Sequence, residues 1–241
     1  SNAELLSQKL GIFVFGNENE LSENDLVLRY GFNGVSLESG KLKLMGDFTK
    51  LSKRVKKGVV GSEILVKAAK NKGKTEGLTA LDATAGLGED SLLLAGAGFN
   101  VKMYEYDPII AELLQDTVNR AKKDPFLSTI ADRMQVIYAN SIDAMNNYLN
   151  ENAERLDAIL LDPMFPERKK DALIGKKFQL LQMLESPCQG NLEEELLNAA
   201  MKANPKKIVI KRPLKGKELA GVKPHYSIVG KAIRYDCFAL A

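Results

Sequence analysis

The stretch Leu78-Thr79-Ala80-Leu81-Asp82, then Ala83-Thr84-Ala85-Gly86-Leu87-Gly88, then Glu89-Asp90-Ser91-Leu92-Leu93-Leu94-Ala95 reads as a short apolar strand ending in an acid, a turn with two glycines, and a helix start. Gly86 and Gly88 lack the side chain that would hold a ligand away from the backbone, and the exposed N–H groups of a helix start favour a negative group. Val101-Lys102-Met103-Tyr104-Glu105 reads as a second strand, and it too ends in an acid, 17 residues after Gly88. A carboxylate at that point can accept both hydroxyls of a ribose. Strand, acid, turn, helix, strand and acid together imply a ligand that contains a nucleoside.

The same alternation extends outward. An amphipathic stretch from Ser62 to Asn71, with Ser62 as N-cap, precedes the first strand, and Pro108 opens a helix running to Lys122. Met134 to Tyr138 is the third strand, Ser141 to Leu149 a helix, and Leu156 to Asp162 the fourth strand, stopped by Pro163. Helical patterns follow at Phe178 to Glu185 and Leu192 to Ala203, then a fifth strand at Lys207 to Lys211. Ser227 to Gly230 and Ala232 to Ala239 read as a hairpin. This is the pattern of an α/β fold, a mostly parallel sheet covered by helices on both faces, with a mixed C-terminal edge. Up to Lys57 the pattern differs. Gly11 to Phe15, Leu26 to Tyr30 and Gly34 to Leu37 read as short strands between glycines and asparagines. The expected division is a small β-rich region over residues 1–57, in which Ser1-Asn2-Ala3 reads as the remnant of a cleaved tag, and one large domain over 58–241.

Composition narrows the chemistry. Of 241 residues, 45% are hydrophobic and 27% charged, the mix of an ordinary globular chain. No apolar run approaches the roughly 18 residues of a membrane span, and no secretory leader is legible, so the expected location is cytoplasmic, without a membrane partner. Cys188 and Cys237 are the only cysteines and His225 the only histidine. A disulfide framework, a zinc site and histidine-based triads are therefore disfavoured, and no metal is expected. Catalysis must rest on carboxylates, backbone groups or a cofactor.

Two cofactors compete for the glycine turn. A dinucleotide fingerprint needs a third glycine where this chain has Ser91, and Asp82, Glu89 and Asp90 crowd the place of a pyrophosphate. A ligand carrying an ammonium and a sulfonium suits those acids better. S-adenosylmethionine is thus expected, and NAD is the alternative.

Asp82-Ala83-Thr84-Ala85-Gly86-Leu87-Gly88 resembles the first motif of class I S-adenosylmethionine-dependent methyltransferases, with Thr84 in place of the first glycine. The longer string from Leu81 to Asp90, with Leu161-Asp162-Pro163-Met164-Phe165-Pro166 and Val209-Ile210-Lys211-Arg212-Pro213, is similar to the bacterial ribosomal RNA small subunit methyltransferase J family. That resemblance runs from about Arg54 to the C-terminus. It implies a Rossmann-like class I methyltransferase sheet with a C-terminal antiparallel hairpin, and formation of N2-methylguanosine in 16S ribosomal RNA. Carried over by position, Glu89 and Asp90 match cofactor contacts at the helix start, Glu105 and Tyr106 the ribose and adenine contacts, Asn140 and Ser141 the adenine side, and Asp162 the acid closing the fourth strand. Tyr106 stands where the family favours arginine, and Asn140 where it favours serine.

Asp162-Pro163-Met164-Phe165 is a variant of the Asp/Asn-Pro-Pro-aromatic motif of enzymes that methylate planar nitrogens. The amine of guanine is a poor nucleophile because its lone pair is delocalised into the ring. Asp162 and the carbonyl of Pro163 can accept its two N–H bonds and support developing charge, while Phe165 stacks on an extruded base. Arg168, Lys169 and Lys170 follow directly, Arg54, Lys56 and Lys57 lie in a basic run before the domain, and Lys211 and Arg212 follow the fifth strand. These cations are expected to hold the phosphates of 16S ribosomal RNA or of the small ribosomal subunit along one rim. A non-catalytic RNA-binding module on a methyltransferase frame, or methylation of DNA adenine or protein glutamine, would share parts of this pattern.

Overall fold

The computed structural model describes residues 2–16, 21–22, 25–71, 73, 76–151, 154–163, 176–184 and 191–240. The N-terminal part holds α1 (Asn2–Leu10) and an antiparallel sheet in the order β1 (Val27–Gly31), β2 (Gly34–Ser39), β3 (Leu42–Leu44). The expected strand at Gly11 to Phe15 does not form. Gly11 N–H bonds back to the Ser7 carbonyl and Ser7 Oγ donates to the Ile12 carbonyl, so these residues close off α1 and lie exposed. The third strand is instead Leu42–Leu44, three residues behind a turn at Gly40 (φ 53°), too short for alternation to announce it.

A seven-stranded sheet forms the body. Its strands are β4 (Leu78–Asp82), β5 (Phe99–Glu105), β6 (Met134–Tyr138), β7 (Ala158–Leu161), β8 (Lys207–Pro213), β9 (Tyr226–Val229) and β10 (Ile233–Ala239), in the order β6-β5-β4-β7-β8-β10-β9. The first five run parallel, whereas β10 is antiparallel to both β8 and β9. The strand order reverses at β4 and β7, and in open α/β sheets ligands bind outside the carboxyl ends of the strands at such a point.

Side-chain alternation sorts the core into two faces. Leu78, Ala80, Leu160, Val209 and Tyr235 point to one face, under α2 (Ile64–Ala69), α3 (Glu89–Gly96), α4 (Pro108–Lys122) and α5 (Ser128–Ala131). Leu81, Ile159, Leu161, Ile208 and Ile210 point to the other, under α6 (Ser141–Glu151) and α8 (Leu192–Lys202). Between them in sequence lies α7 (Lys176–Leu184), whose Leu180 packs with Val35, Leu37, Leu87 and Leu113 beneath the N-terminal sheet. The helix α2 is shorter than expected, and Glu63 rather than Ser62 stands at its start. Ser62 Oγ donates instead to the Val59 carbonyl and closes a 3-10 turn. Phe48 and Val55, which precede the expected boundary at residue 57, are 2% exposed and belong to the same core as β4 and β5.

Candidate functional site

The turn after β4 is stitched to the strands on either side of it. Ala83 N–H bonds the Leu160 carbonyl at 3.0 Å, and Ala85 N–H bonds the Tyr104 carbonyl at 3.1 Å. Two side chains complete the seam. The Asp162 N–H donates to Thr84 Oγ1 at 2.6 Å, and Gly86 N–H donates to Glu105 Oε2 at 2.9 Å. Glu105 and Asp162, the acids that end β5 and follow β7, are therefore bound two residues apart on one turn, at the carboxyl edge of the sheet.

Asp82 faces inward. Its carboxylate is 2% exposed, accepts from Thr84 N–H at 3.1 Å and receives the Ser91 hydroxyl at 2.6 Å. It shapes the turn and anchors α3, and burial, opposed by those two bonds, pushes its carboxyl up to about 7. This corrects the expectation that Asp82 lines the ligand cradle, and it explains Ser91: a glycine there would remove one of the two donors, Ser91 Oγ and Thr84 N–H, that this buried acid has. Gly88 is also corrected. A Cβ there would lie 2.6 Å from Leu114 Cδ1 and 3.1 Å from Phe48 Cζ, so its hydrogen serves packing, at a φ of 75°. Gly86, at φ 53°, is the glycine whose missing side chain leaves open space.

Asp90, in the first turn of α3, and Asp162 share one cation. Lys211 Nζ lies 2.7 Å from Asp90 Oδ2 and 2.9 Å from Asp162 Oδ2. Burial works against the Lys211 charge, but Asp90 and Asp162 outweigh it and hold the ammonium well above its ordinary value. Burial likewise raises the Asp162 carboxyl, and Lys211 opposes that rise. Lys211 is thus a member of the site and not a free phosphate anchor on its rim.

Arg212 is 4% exposed and turned to the other face, where it donates to the Lys217 carbonyl at 2.7 Å and meets Glu193 at 3.4 Å. Consecutive residues of a strand point to opposite faces, so Lys211 and Arg212 cannot share a rim. Arg54 makes a two-pronged pair with Glu63 at 2.8 and 2.7 Å and is half engaged, whereas Lys56 and Lys57 are exposed. Met164, Phe165, Arg168, Lys169, Lys170 and Cys188 lie outside the described residues.

On the opposite side of the turn, Glu105 Oε1 accepts from Asp107 N–H at 2.9 Å, and burial raises its carboxyl against these backbone donors. The Tyr106 ring beside it is 74% exposed. Asp107 caps α4 through Ile109 and Ile110, and Asn140 caps α6 by accepting from Ile142 N–H at 2.9 Å. Ser141 is buried at the start of that helix. Pro163 is half-buried next to Asp162. Sequence reasoning missed Thr84 and Ser91 as structural bonds of the site, and it misplaced Lys211. The signal for Thr84 was its departure from glycine, since a hydroxyl in a turn between two acid-terminated strands is an available acceptor.

Elsewhere, His225 is structural: its Nδ1 accepts from Ala239 N–H at 3.1 Å and its ring lies against Phe238. Cys237 is a buried free thiol, raised to about 11 by burial. Among the described residues no group of three or more His, Cys, Asp or Glu could hold a metal ion, and no helix is long and apolar enough to cross a membrane.

The strand order and the glycine turn between two acid-ended strands define a class I S-adenosylmethionine-dependent methyltransferase. Residues 20–240 match the family described as "Putative SAM-dependent methyltransferase". The chain is 35% identical over 223 residues to ribosomal RNA small subunit methyltransferase J of Acinetobacter baumannii strain ACICU, covering 89% of this chain and 78% of that protein. It is 34% identical over 245 residues to the protein of the same name from Stutzerimonas stutzeri, covering 96% and 88%. The chain belongs to the ribosomal RNA small subunit methyltransferase J family of S-adenosylmethionine-dependent methyltransferases. Among solved structures it is similar to the SAM-dependent methyltransferase NGO1261 from Neisseria gonorrhoeae, at 27% identity and a TM-score of 0.77, covering 100% of this chain and 92% of that one.

The residues present fit S-adenosylmethionine. A Cβ at Gly86 would meet open space, Glu105 brings a carboxylate to the turn, of the kind that can accept ribose hydroxyls, and Asp90 and Asp162 are two carboxylates against the single ammonium of Lys211, which suits a cationic ligand. When bound, the cofactor supplies an electrophilic methyl group on a positively charged sulfur.

Proposed function

We propose that the chain methylates the exocyclic N2 of a guanosine in 16S ribosomal RNA. The observation that carries this reading is the tie between Asp162 and the glycine turn: the Asp162 N–H bonds Thr84 Oγ1, and the same turn holds Glu105 through Gly86. A planar amine accepted by the Asp162 carboxylate is thereby placed beside the cofactor turn. Among the described residues Asp162 Oδ1 receives no hydrogen bond, so it remains an acceptor for an amine N–H. The second N–H goes to the carbonyl of Pro163, and the pair of bonds supports positive charge as it develops on nitrogen. Direct transfer then asks the protein mainly for orientation. The proton left on the product nitrogen departs to Asp162 or to water.

Phe165 stacks on the base drawn out of its helix, and exposed Lys56 and Lys57, with Arg168, Lys169 and Lys170, hold the RNA backbone. The names of the family relatives support ribosomal RNA as the substrate. The test is to incubate the protein with labelled S-adenosylmethionine and undermethylated small ribosomal subunits, then digest the RNA. Label in N2-methylguanosine is expected. Label in another nucleoside, or none in the RNA, overturns the proposal. Asp162→Ala should abolish the transfer while RNA affinity is largely kept.

A further inference from the structure

Lys211 is the cation through which two elements of the site meet. It rises from β8, opposite Tyr235 of β10, and its ammonium takes one oxygen of Asp162 after β7 and one of Asp90 in α3. The three side chains are largely enclosed, with Lys211 27%, Asp90 20% and Asp162 35% exposed. The buried Asp82 carboxyl and the Tyr235 phenol lie close enough to feel Asp90 and Asp162, and Arg54 acts on Asp90 and Tyr235 from the neighbouring segment. Arg212 adds a weaker positive influence on Asp162 from the opposite face of β8. Three carboxyl groups therefore crowd one corner, and Lys211 is the cation that bonds two of them.

We propose that Lys211 is a positioning residue for methyl transfer: it fixes Asp162 as an ionised acceptor beside the start of α3, with one carboxylate oxygen bound and the other turned to the substrate amine. The inference rests on the reading of Asp162 as the amine acceptor. Without the ammonium, Asp162 would face Asp90 and burial with only the weaker influence of Arg212 to offset them, and both favour the protonated acid. A protonated Asp162 accepts less well and cannot stabilise developing positive charge on nitrogen. The Lys211 bonds also help set the distance between the acid that follows β7 and the helix α3 that follows the glycine turn. Asp90 keeps a second oxygen for the cofactor in the same way that Asp162 keeps one for the amine. Lys211 itself touches neither reacting atom in this arrangement.

The test compares Lys211→Met and Lys211→Arg with the unmodified chain, each labelled with carboxyl-13C aspartate and titrated without cofactor. The Asp162 signal is assigned by its disappearance in Asp162→Asn. In Lys211→Met the Asp162 midpoint should rise by about one pH unit or more, the effect of removing an opposite charge at hydrogen-bond distance, and Lys211→Arg should return it toward the original value. The acid limb of methyl transfer should move up by the same amount, so that activity is lost by about tenfold per unit on the acid side of the limb and recovers as pH rises. Calorimetric binding of S-adenosylhomocysteine shows that each variant is folded, and it should persist in both. An Asp162 midpoint unchanged in Lys211→Met, or a loss of activity by the same factor at every pH, overturns the inference. Should Asp162→Asn methylate as well as the unmodified chain, it is the reading of Asp162 that falls, whatever the titration shows.

Discussion

The backbone N–H of Asp162 donates to the hydroxyl of Thr84 at 2.6 Å, so the acid after β7 is held by the residue that replaces the first glycine of the cofactor turn. A glycine at position 84 could offer no such acceptor. The turn after β4 and the start of the loop after β7 are therefore one hydrogen-bonded unit, in which the Thr84 side chain adds to the backbone bond between Ala83 and Leu160. The Asp82 carboxylate, which accepts the Thr84 N–H, fixes that side chain's backbone from beneath.

Thr84→Val removes the acceptor at nearly constant volume. The half-buried Asp162 N–H is then left without its partner, at a cost of about 1–3 kcal/mol in stability. Loss of position should be more telling than loss of stability. Methyl transfer is expected to fall about tenfold or more while affinity for S-adenosylhomocysteine changes little, because the turn's own bonds to Tyr104, Leu160 and Glu105 remain. Thr84→Ser, which keeps the hydroxyl, should recover most of the rate. A valine variant as active as the unmodified chain, or a serine variant that recovers none of the rate, would show that the hydroxyl does not set the position of Asp162.

The two glycines of the turn should fail in different ways. Gly88→Ala places a Cβ 2.6 Å from Leu114 and 3.1 Å from Phe48 at positive φ, so it should destabilise the fold by about 2–4 kcal/mol through overpacking and strain together. Gly86→Ala meets no atom within 4 Å and carries only the cost of its left-handed backbone, about 1 kcal/mol. Its added methyl instead enters the open space that the cofactor is expected to fill, and should weaken S-adenosylhomocysteine binding well beyond what the stability loss explains. Chemical denaturation and calorimetric titration of the two variants separate the cases. Equal melting behaviour, or unchanged binding in Gly86→Ala, would refute the distinction.

The parallel sheet was legible because β4, β5, β7 and β8 are short apolar runs and each of the first three is followed closely by an acid or a helix start. The site's location followed from where those runs end. What could not be read was the facing of individual side chains. Lys211 and Arg212 are neighbours in sequence, and only the register of β8 against β7 and β10 shows that one enters the site and the other turns to Glu193. Asp82 and Gly88 likewise carry the expected residue types for a ligand cradle, yet tertiary packing from α3, α4 and Phe48 claims both. The N-terminal region was hardest, since Gly11 to Phe15 has the composition of a strand and, among the described residues, no pairing to make it one. Composition alone does not supply an edge to pair with.

Asp82 makes a prediction about stability against pH. Its carboxyl is raised from an ordinary value of 3.8 to about 7, chiefly by complete burial. The folded chain therefore keeps a proton that the unfolded chain has already lost, and stability falls as pH rises from the unfolded value through the folded one. Asp82→Asn removes that titration while keeping an acceptor for Thr84 N–H. The asparagine variant should thus gain on the unmodified chain as pH rises from about 4 to about 7, by at most about 4 kcal/mol at one pKa unit per 1.4 kcal/mol, and the difference should level off above that range. At the acid end the variant should be equal or less stable, because asparagine reproduces the short bond from Ser91 only with its donor reversed. Urea unfolding of both chains across this range measures the difference directly, and a difference that does not change with pH would mean that Asp82 is ionised in the folded protein throughout, with Ser91 and Thr84 sufficient to hold its charge.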